Sequence, residues 1–378
     1  MDGYVCDVSN GYPYCRSGSK IRENLERELL IYSGKDQDFQ TEAVVFPSGM
    51  NAIICAMEVV LKEWKDSTMV PHFVLGNELY CDVRRTVEYL KETNTFTVEY
   101  VDVKQTENIK KIFETNKRIA LFFIETCTNP SGQMFDFDIM PTLKTLAPRC
   151  IMCVDNTWVS FCWFNPFQYQ ADLVIESLTK YGSGGKCISG MIIGKNPMIG
   201  KIREWVCVYG QFLTPLQCDL LMNGLKTICS RIEKSSPLVL PVAQWLETIP
   251  QVSRVLHPSL KSHPTYKTNL KYLHNKNPAV IVFHLEVTIN KTNNNPKTYL
   301  KDILMNGIKG IKLETSYGSS YSKICPWASF GKSNKYDYGN NNDTFELKTG
   351  IWLRLSIGYN DNFESIQQNL KEIISHIV

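Results

Sequence analysis

Three short segments carry residue types that together could do carbonyl chemistry. Lys180 lies in Ser177-Leu178-Thr179-Lys180-Tyr181-Gly182-Ser183-Gly184-Gly185, which follows directly on the extended stretch from Asp172 to Ser177. A lysine at the end of a buried strand is costly to hold charged, so its pKa falls toward the neutral amine that a Schiff base needs. The same letters describe a surface lysine in a glycine loop, and this segment alone does not choose. Asp155 ends the apolar run that begins at Ile151. An acid there either caps the next segment or keeps a pyridine nitrogen protonated, as in a pyridoxal phosphate enzyme, so that the ring absorbs the electrons of a carbanion. Finally, Pro47-Ser48-Gly49-Met50-Asn51 opens a helix with a glycine. Its free N–H groups and positive dipole end suit a phosphate, though many helices begin this way.

The elements that must position these residues alternate along the chain. Ile53, Met57, Leu61 and Trp64 mark one face of a helix starting near Gly49. Strand His72–Leu75, helix 80–90, strand 96–101, helix 107–114, strand Ile119–Ile124, helix 139–146, strand Ile151–Asp155 and the stretch 172–177 follow. Repeats of this length predict a largely parallel sheet covered on both faces. The glycine-rich run after Ser177 reads as a flexible loop. From Leu216 to about Leu246 the pattern is helical with an interruption at Pro237. A second alternating region predicts strand Ala279–Val287, a helix near 296–306, strand-like segments at 310–313 and 352–356, and a terminal helix 364–377. The Asn-rich patches at 293–295 and 340–342 read as polar surface loops.

Composition narrows the classes. The chain has 378 residues with 41 Lys+Arg against 38 Asp+Glu, a formal charge of +3. That balance creates no field to recruit nucleic acid or an anionic membrane. The apolar runs fall far short of the roughly 20 residues a bilayer span needs. The first residues have no secretory pattern, so a cytoplasmic, reducing location is expected. The 13 cysteines are scattered; Cys150 and Cys153 lack a second pair or His cluster at ligand spacing, so no metal is expected and the thiols read as free.

Taken in order, the motifs resemble the cystathionine γ-synthase and γ-lyase family, the Cys/Met-metabolism pyridoxal phosphate enzymes. They are Tyr14-x-Arg16, Ser48-Gly49-Met50, Tyr80, Glu125-x-x-Thr128-Asn129-Pro130, Val154-Asp155-Asn156-Thr157, Ser177-x-Thr179-Lys180-Tyr181, Ser316-x-Gly318, and Arg354 through Gly358. The stretch from Trp245 through Pro250 and Pro258 to Pro264 is similar to the start of that family's second domain. The resemblance implies an α/β protein of the fold-type I pyridoxal phosphate-dependent transferase kind. Residues 1–35 would form an arm reaching the neighbouring subunit, 36–240 a cofactor-binding large domain with a mostly parallel sheet, and 241–378 a smaller α/β C-terminal domain.

It also implies roles. Lys180 would hold pyridoxal 5'-phosphate and shuttle protons, Asp155 would pair with the pyridinium nitrogen, and Tyr80 would stack on the ring and assist acid-base steps. Asn129 would contact the ring hydroxyl. The phosphate would meet the amides of Gly49 and Met50, the hydroxyls of Ser177 and Thr179, and Tyr14 and Arg16 from a neighbouring subunit, in a homodimer or homotetramer. Arg354 would bind the substrate α-carboxylate bidentately with help from the Ser316 region; a structural salt bridge is the other use of such an arginine. The expected activity is γ-elimination or γ-replacement on a sulfur-containing or O-acylated amino acid. A β-lyase, a methionine γ-lyase, a specialised enzyme and an inactive scaffold subunit are the alternatives.

Four departures from the family bear on specificity. Only 13 residues precede Tyr14, against several dozen ahead of the family's Tyr-x-Arg, which implies altered substrate access. Ser19-Lys20-Ile21 replaces Asn-Pro-Thr, and Cys81-Asp82 replaces Gly-Gly after the stacking tyrosine. Thr315, before Ser316, occupies the position that tends to separate γ-cleaving, methionine-cleaving and β-cleaving members, and matches none of them. Past Ser316, Ser319-Ser320-Tyr321-Ser322 replaces Gly-x-Glu-Ser.

Overall fold

The structure is a computed structural model that describes residues 18–65, 68–286, 310–329 and 350–377. These form two compact units: one gathers the chain up to Thr126 with Phe135–Ile228, the other Cys127–Met134 with the chain from Cys229 onward.

In the first unit, helix α1 (Lys20–Tyr32) leads into strand β1 (Thr41–Phe46) and helix α2 (Gly49–Trp64). Then come β2 (His72–Gly76), α3 (Cys81–Thr93), β3 (Thr97–Val101), α4 (Thr106–Thr115), β4 (Ile119–Glu125), α5 (Met140–Leu146), β5 (Ile151–Asp155) and β6 (Leu173–Glu176). Strand β7 (Gly190–Lys195), α6 (Met198–Tyr209) and α7 (Pro215–Leu225) complete it. The seven-stranded sheet has the order β1-β7-β6-β5-β4-β2-β3. Strand β7 alone runs antiparallel to both its neighbours, β1 and β6, whereas β6, β5, β4, β2 and β3 pair in parallel.

Why α2 forms where it does is visible in its residues. Ser48 is its N-cap and accepts the Asn51 N–H at 3.1 Å. Its apolar residues Ala52, Ile53, Ala56, Met57, Val60 and Trp64 bury against Phe73, Leu75, Phe123 and Ile175 of the sheet. All seven positions of β4 are buried, as a central parallel strand requires.

The second unit carries α8 (Ile228–Leu246), β8 (Val252–Leu256), α9 (Tyr266–Leu273), β9 (Val280–Leu285), β10 (Lys312–Leu313), β11 (Lys323–Ser329), β12 (Ile351–Ser356) and α10 (Phe363–Ile377). Its five-stranded sheet is ordered β10-β11-β12-β9-β8 and is antiparallel except for the β10–β11 pair. Leu353, Leu355, Phe283 and Ile281 join Leu370 and Ile373 of α10 in its core.

The expected helix over 216–246 differs in detail. The break falls between α7 and α8, and α8 continues through both Pro237 and Pro241. The cysteine reading needs a correction as well. Nine cysteines among the described residues are free thiols, but Cys162 and Cys229 are each disulfide-bonded. The expected helix near 296–306 and both Asn-rich patches lie outside the described residues.

Candidate active site

Parallel sheets of this kind leave their ligand crevice at the carboxyl ends of the strands. In the first unit, β5 ends at Asp155, β6 is followed by Ser177, β4 ends at Glu125, and β1 leads through Pro47 into α2. Four of the sequence-predicted segments are thus delivered to one end of one sheet.

The α2 end is built for close approach. Ser48 takes the Asn51 N–H on its hydroxyl and the Ala52 N–H on its carbonyl. The amides of Gly49 and Met50 are the ones the helix itself leaves for a ligand. A Cβ on Gly49 would lie 2.9 Å from the Ser177 Cβ and 3.2 Å from its Oγ, so only glycine lets the Ser177 hydroxyl stand beside these amides. Gly190 backs the same turn: a Cβ there would lie 2.5 Å from the Ser48 carbonyl oxygen and 2.7 Å from the Gly49 nitrogen.

Asp155 is 8% exposed. Its Oδ1 accepts the Thr157 N–H at 2.9 Å and the Thr157 hydroxyl, and Thr157 Oγ1 in turn accepts the Ser177 N–H at 2.8 Å. Burial holds this carboxyl above the usual range, against the two Thr157 bonds and the positive charge of Lys180, which lower it.

The Lys180 turn is less free than its glycines suggest. Lys180 N donates to Ser177 O at 3.2 Å, Ser183 N to Leu178 O at 2.7 Å, and the Ser183 hydroxyl bonds to Thr179 O and Cys187 O. Tyr181, Gly182, Ser183 and Gly184 are buried. A run read as a flexible loop is a knitted turn, because its small residues let backbone groups meet. Thr179 belongs to that knitting: its hydroxyl donates to Ser189 O at 3.1 Å and accepts the Ser189 N–H at 3.0 Å. Tyr80 is the N-cap residue of α3, its N–H donates to Glu125 Oε1 at 2.5 Å, and it is 37% exposed.

In the second unit, Arg354 of β12 is 6% exposed and its Nη1 donates to Asn129 Oδ1 at 3.3 Å, so two predicted site residues stand together there. Ser316 holds a left-handed φ of 83°, unusual for a residue with a Cβ, and Thr315 is exposed. Tyr14 and Arg16 lie outside the described residues. The sequence alone assigns no role to Thr157, Glu125 or Glu176. The first two were already visible as members of the motifs around Asp155 and Asn129.

The residues fit pyridoxal phosphate: a glycine-opened helix end with a serine hydroxyl beside it for the phosphate, a buried acid for the ring nitrogen, and an amine within reach of that acid's field. The class defined is a pyridoxal phosphate-dependent enzyme. Residues 4–372 match the family model described as Cys/Met metabolism PLP-dependent enzyme, and the chain belongs to that family.

Its relatives include a cystathionine β-lyase of Neurospora crassa, 33% identical over 267 residues, covering 68% of this chain and 54% of that protein. An L-methionine γ-lyase of Treponema denticola is 28% identical over 97% of this chain and 86% of its own length. Among solved structures, a cystathionine γ-lyase of Lactobacillus plantarum complexed with L-serine superposes with a TM-score of 0.79 at 20% identity, covering 100% of this chain and 92% of that one. This last likeness bears on the fold. The chain thus spans about half the length of the Neurospora relative and most of the Treponema one.

Proposed function

We propose that the protein catalyses γ-elimination or γ-replacement on a sulfur-containing or O-acylated amino acid such as cystathionine. When bound, pyridoxal phosphate supplies an electron sink that stabilises negative charge on the substrate's α-carbon. In this reading Lys180 Nζ holds the cofactor, then removes the α-proton and moves protons on the neighbouring carbon until the γ-substituent departs. Asp155 holds the ring nitrogen protonated. Tyr80 packs on the ring and assists departure of the leaving group. The amides of Gly49 and Met50 and the Ser177 hydroxyl bind the phosphate. Thr179 chiefly holds the turn, because its proton already goes to Ser189 O. Arg354 binds the α-carboxylate with help from the Ser316 region, and Asn129 meets the ring hydroxyl. Tyr14 and Arg16, in an arm of residues 1–35, complete the site of a neighbouring subunit in a cytoplasmic homodimer or homotetramer.

The observation that carries the reading is the link from buried Asp155 through Thr157 to Ser177, whose side chain packs against Gly49 at the start of α2. Thr315 keeps β-cleavage and methionine γ-cleavage open as second readings, since relatives of both kinds exist. Incubation with cystathionine, methionine and O-acyl-homoserines, with products identified by mass, tests it. Cysteine plus 2-oxobutanoate is expected; homocysteine plus pyruvate establishes β-cleavage instead. Protein that stays colourless with pyridoxal phosphate present refutes the cofactor assignment.

A further inference from the structure

A second buried acid, Glu176, ends β6, the strand paired with β5, and has no part in the reading above. Its Oε1 accepts the Phe161 N–H at 2.8 Å and the Asn156 side-chain N–H at 3.1 Å, while Oε2 accepts the Tyr32 hydroxyl of α1 at 3.3 Å. The other end of Asn156 accepts the Thr126 hydroxyl at 2.8 Å. Thr126 N donates to Asp155 O at 2.9 Å and Asn156 N to Ile175 O at 2.8 Å. Asn156 is therefore stretched between Glu176 and Thr126, and the backbone on which Asp155 sits is tied to strands on both sides.

The surroundings of Glu176 bear on its charge state. It is 3% exposed, and its three partners are a backbone N–H, an amide N–H and a phenol, none of which carries a positive charge. A buried carboxyl without a cation beside it is costly to ionise, and a phenol can accept as well as donate. An ionised Glu176 would add a second buried negative charge that the field of Asp155 opposes. Burial raises Glu176 well above the usual carboxyl range, Asp155 raises it further, and burial also raises the Tyr32 phenol.

We propose that Glu176 is a positioning residue, kept as a neutral acid, that acts through Asn156 to fix the turn presenting Asp155. This rests on the assignment of Asp155 made above. Gln at 176 reproduces the pattern, with an acceptor for the two N–H groups and a donor toward Tyr32; Ala leaves buried donors without a partner.

The test titrates apo-protein with pyridoxal phosphate and follows the pyridine 15N shift of the bound cofactor against pH. Glu176→Gln is expected to hold affinity within about threefold, the scale of one ordinary hydrogen bond, with the nitrogen protonated over the same pH range. Glu176→Ala is expected to weaken binding about 5- to 150-fold, the range for stranding buried polar groups, and to move the nitrogen's titration. A Gln variant whose nitrogen titrates elsewhere overturns the neutral-acid state, and decides the matter even if the Ala variant does not fold. Unchanged behaviour in the Ala variant overturns the positioning role. Asp155→Asn serves as the control: a nitrogen still protonated there overturns the site assignment itself.

Discussion

Replacing Gly190 with alanine puts the phosphate seat to a direct test without replacing any residue that would contact the cofactor. The new Cβ would sit 2.5 Å from the Ser48 carbonyl oxygen and 2.7 Å from both Cα and N of Gly49. An ordinary contact begins near 3.4 Å, so the two backbones must part by about 0.9 Å, the difference between 3.4 and 2.5 Å. Both neighbours are backbone, and β7 is pinned to β1 by the Phe46↔Gly190 register, so the movement falls on the start of α2. Overpacking of this kind costs about 1–3 kcal/mol. The consequence for binding comes from the amides of Gly49 and Met50: bonds to a charged acceptor contribute about 1.5–3 kcal/mol each and weaken steeply with distance. Losing the equivalent of one such bond lowers cofactor affinity about 10- to 150-fold. Absorbance titration of apo-protein with pyridoxal phosphate reads this directly, and circular dichroism checks that the fold is kept. A folded Gly190→Ala protein that binds within twofold of wild type refutes the phosphate seat at α2.

Four further outcomes are expected. Lys180→Ala abolishes the yellow colour and all turnover, read by absorbance and product analysis; residual turnover would exclude the lysine as the proton carrier. Arg354→Lys loses the fixed fork that grips a carboxylate and raises KM for the amino-acid substrate about 10-fold or more, equivalent to about 1.4 kcal/mol, with a smaller change in kcat. Wild-type apo-protein loses stability as pH rises above the ordinary glutamate range, because folded Glu176 stays protonated where the unfolded chain has released its proton; Glu176→Gln flattens that slope in thermal melts between about pH 5 and 8. Asp155→Asn lowers kcat by about 100-fold or more, the scale of a removed electrostatic partner in a dry site, and a variant within tenfold of wild type would contradict its assignment to the ring nitrogen.

Some of this architecture is plain in the residues and some is hidden for physical reasons. Helix α2 is legible because Ile53, Met57, Leu61 and Trp64 keep helical spacing over a sheet. Strands β4 and β5 are legible because their burial leaves uninterrupted apolar runs. Strand β7 escapes notice because Gly190 and Gly194 stand where Ser48 and Leu173 leave no room for a side chain, and glycine ordinarily argues against a strand. Strand β11 is masked by Pro326, which falls at a shift in its register with β12. Prolines 237 and 241 suggest an end to a helix that in fact continues through them. At the candidate site, Lys180, Asp155 and Gly49 draw notice by residue type at strand and helix ends. Glu176 does not, because a glutamate at a strand end reads as a solvated charge until its partners from α1 and the 156–161 turn are seen.

The knitted turn around Lys180 also bears on stereochemistry. With its main chain bonded to Ser177 and its neighbours held through Ser183, the lysine has a fixed pivot and only its four-carbon side chain to swing. An arm on a fixed pivot sweeps one side of whatever lies before it. On the proposed role of Lys180 as proton carrier, each hydrogen it lifts from one substrate carbon and returns to the next should therefore travel along a single face, and turnover in deuterium oxide should leave the label in one configuration rather than as a racemic mixture.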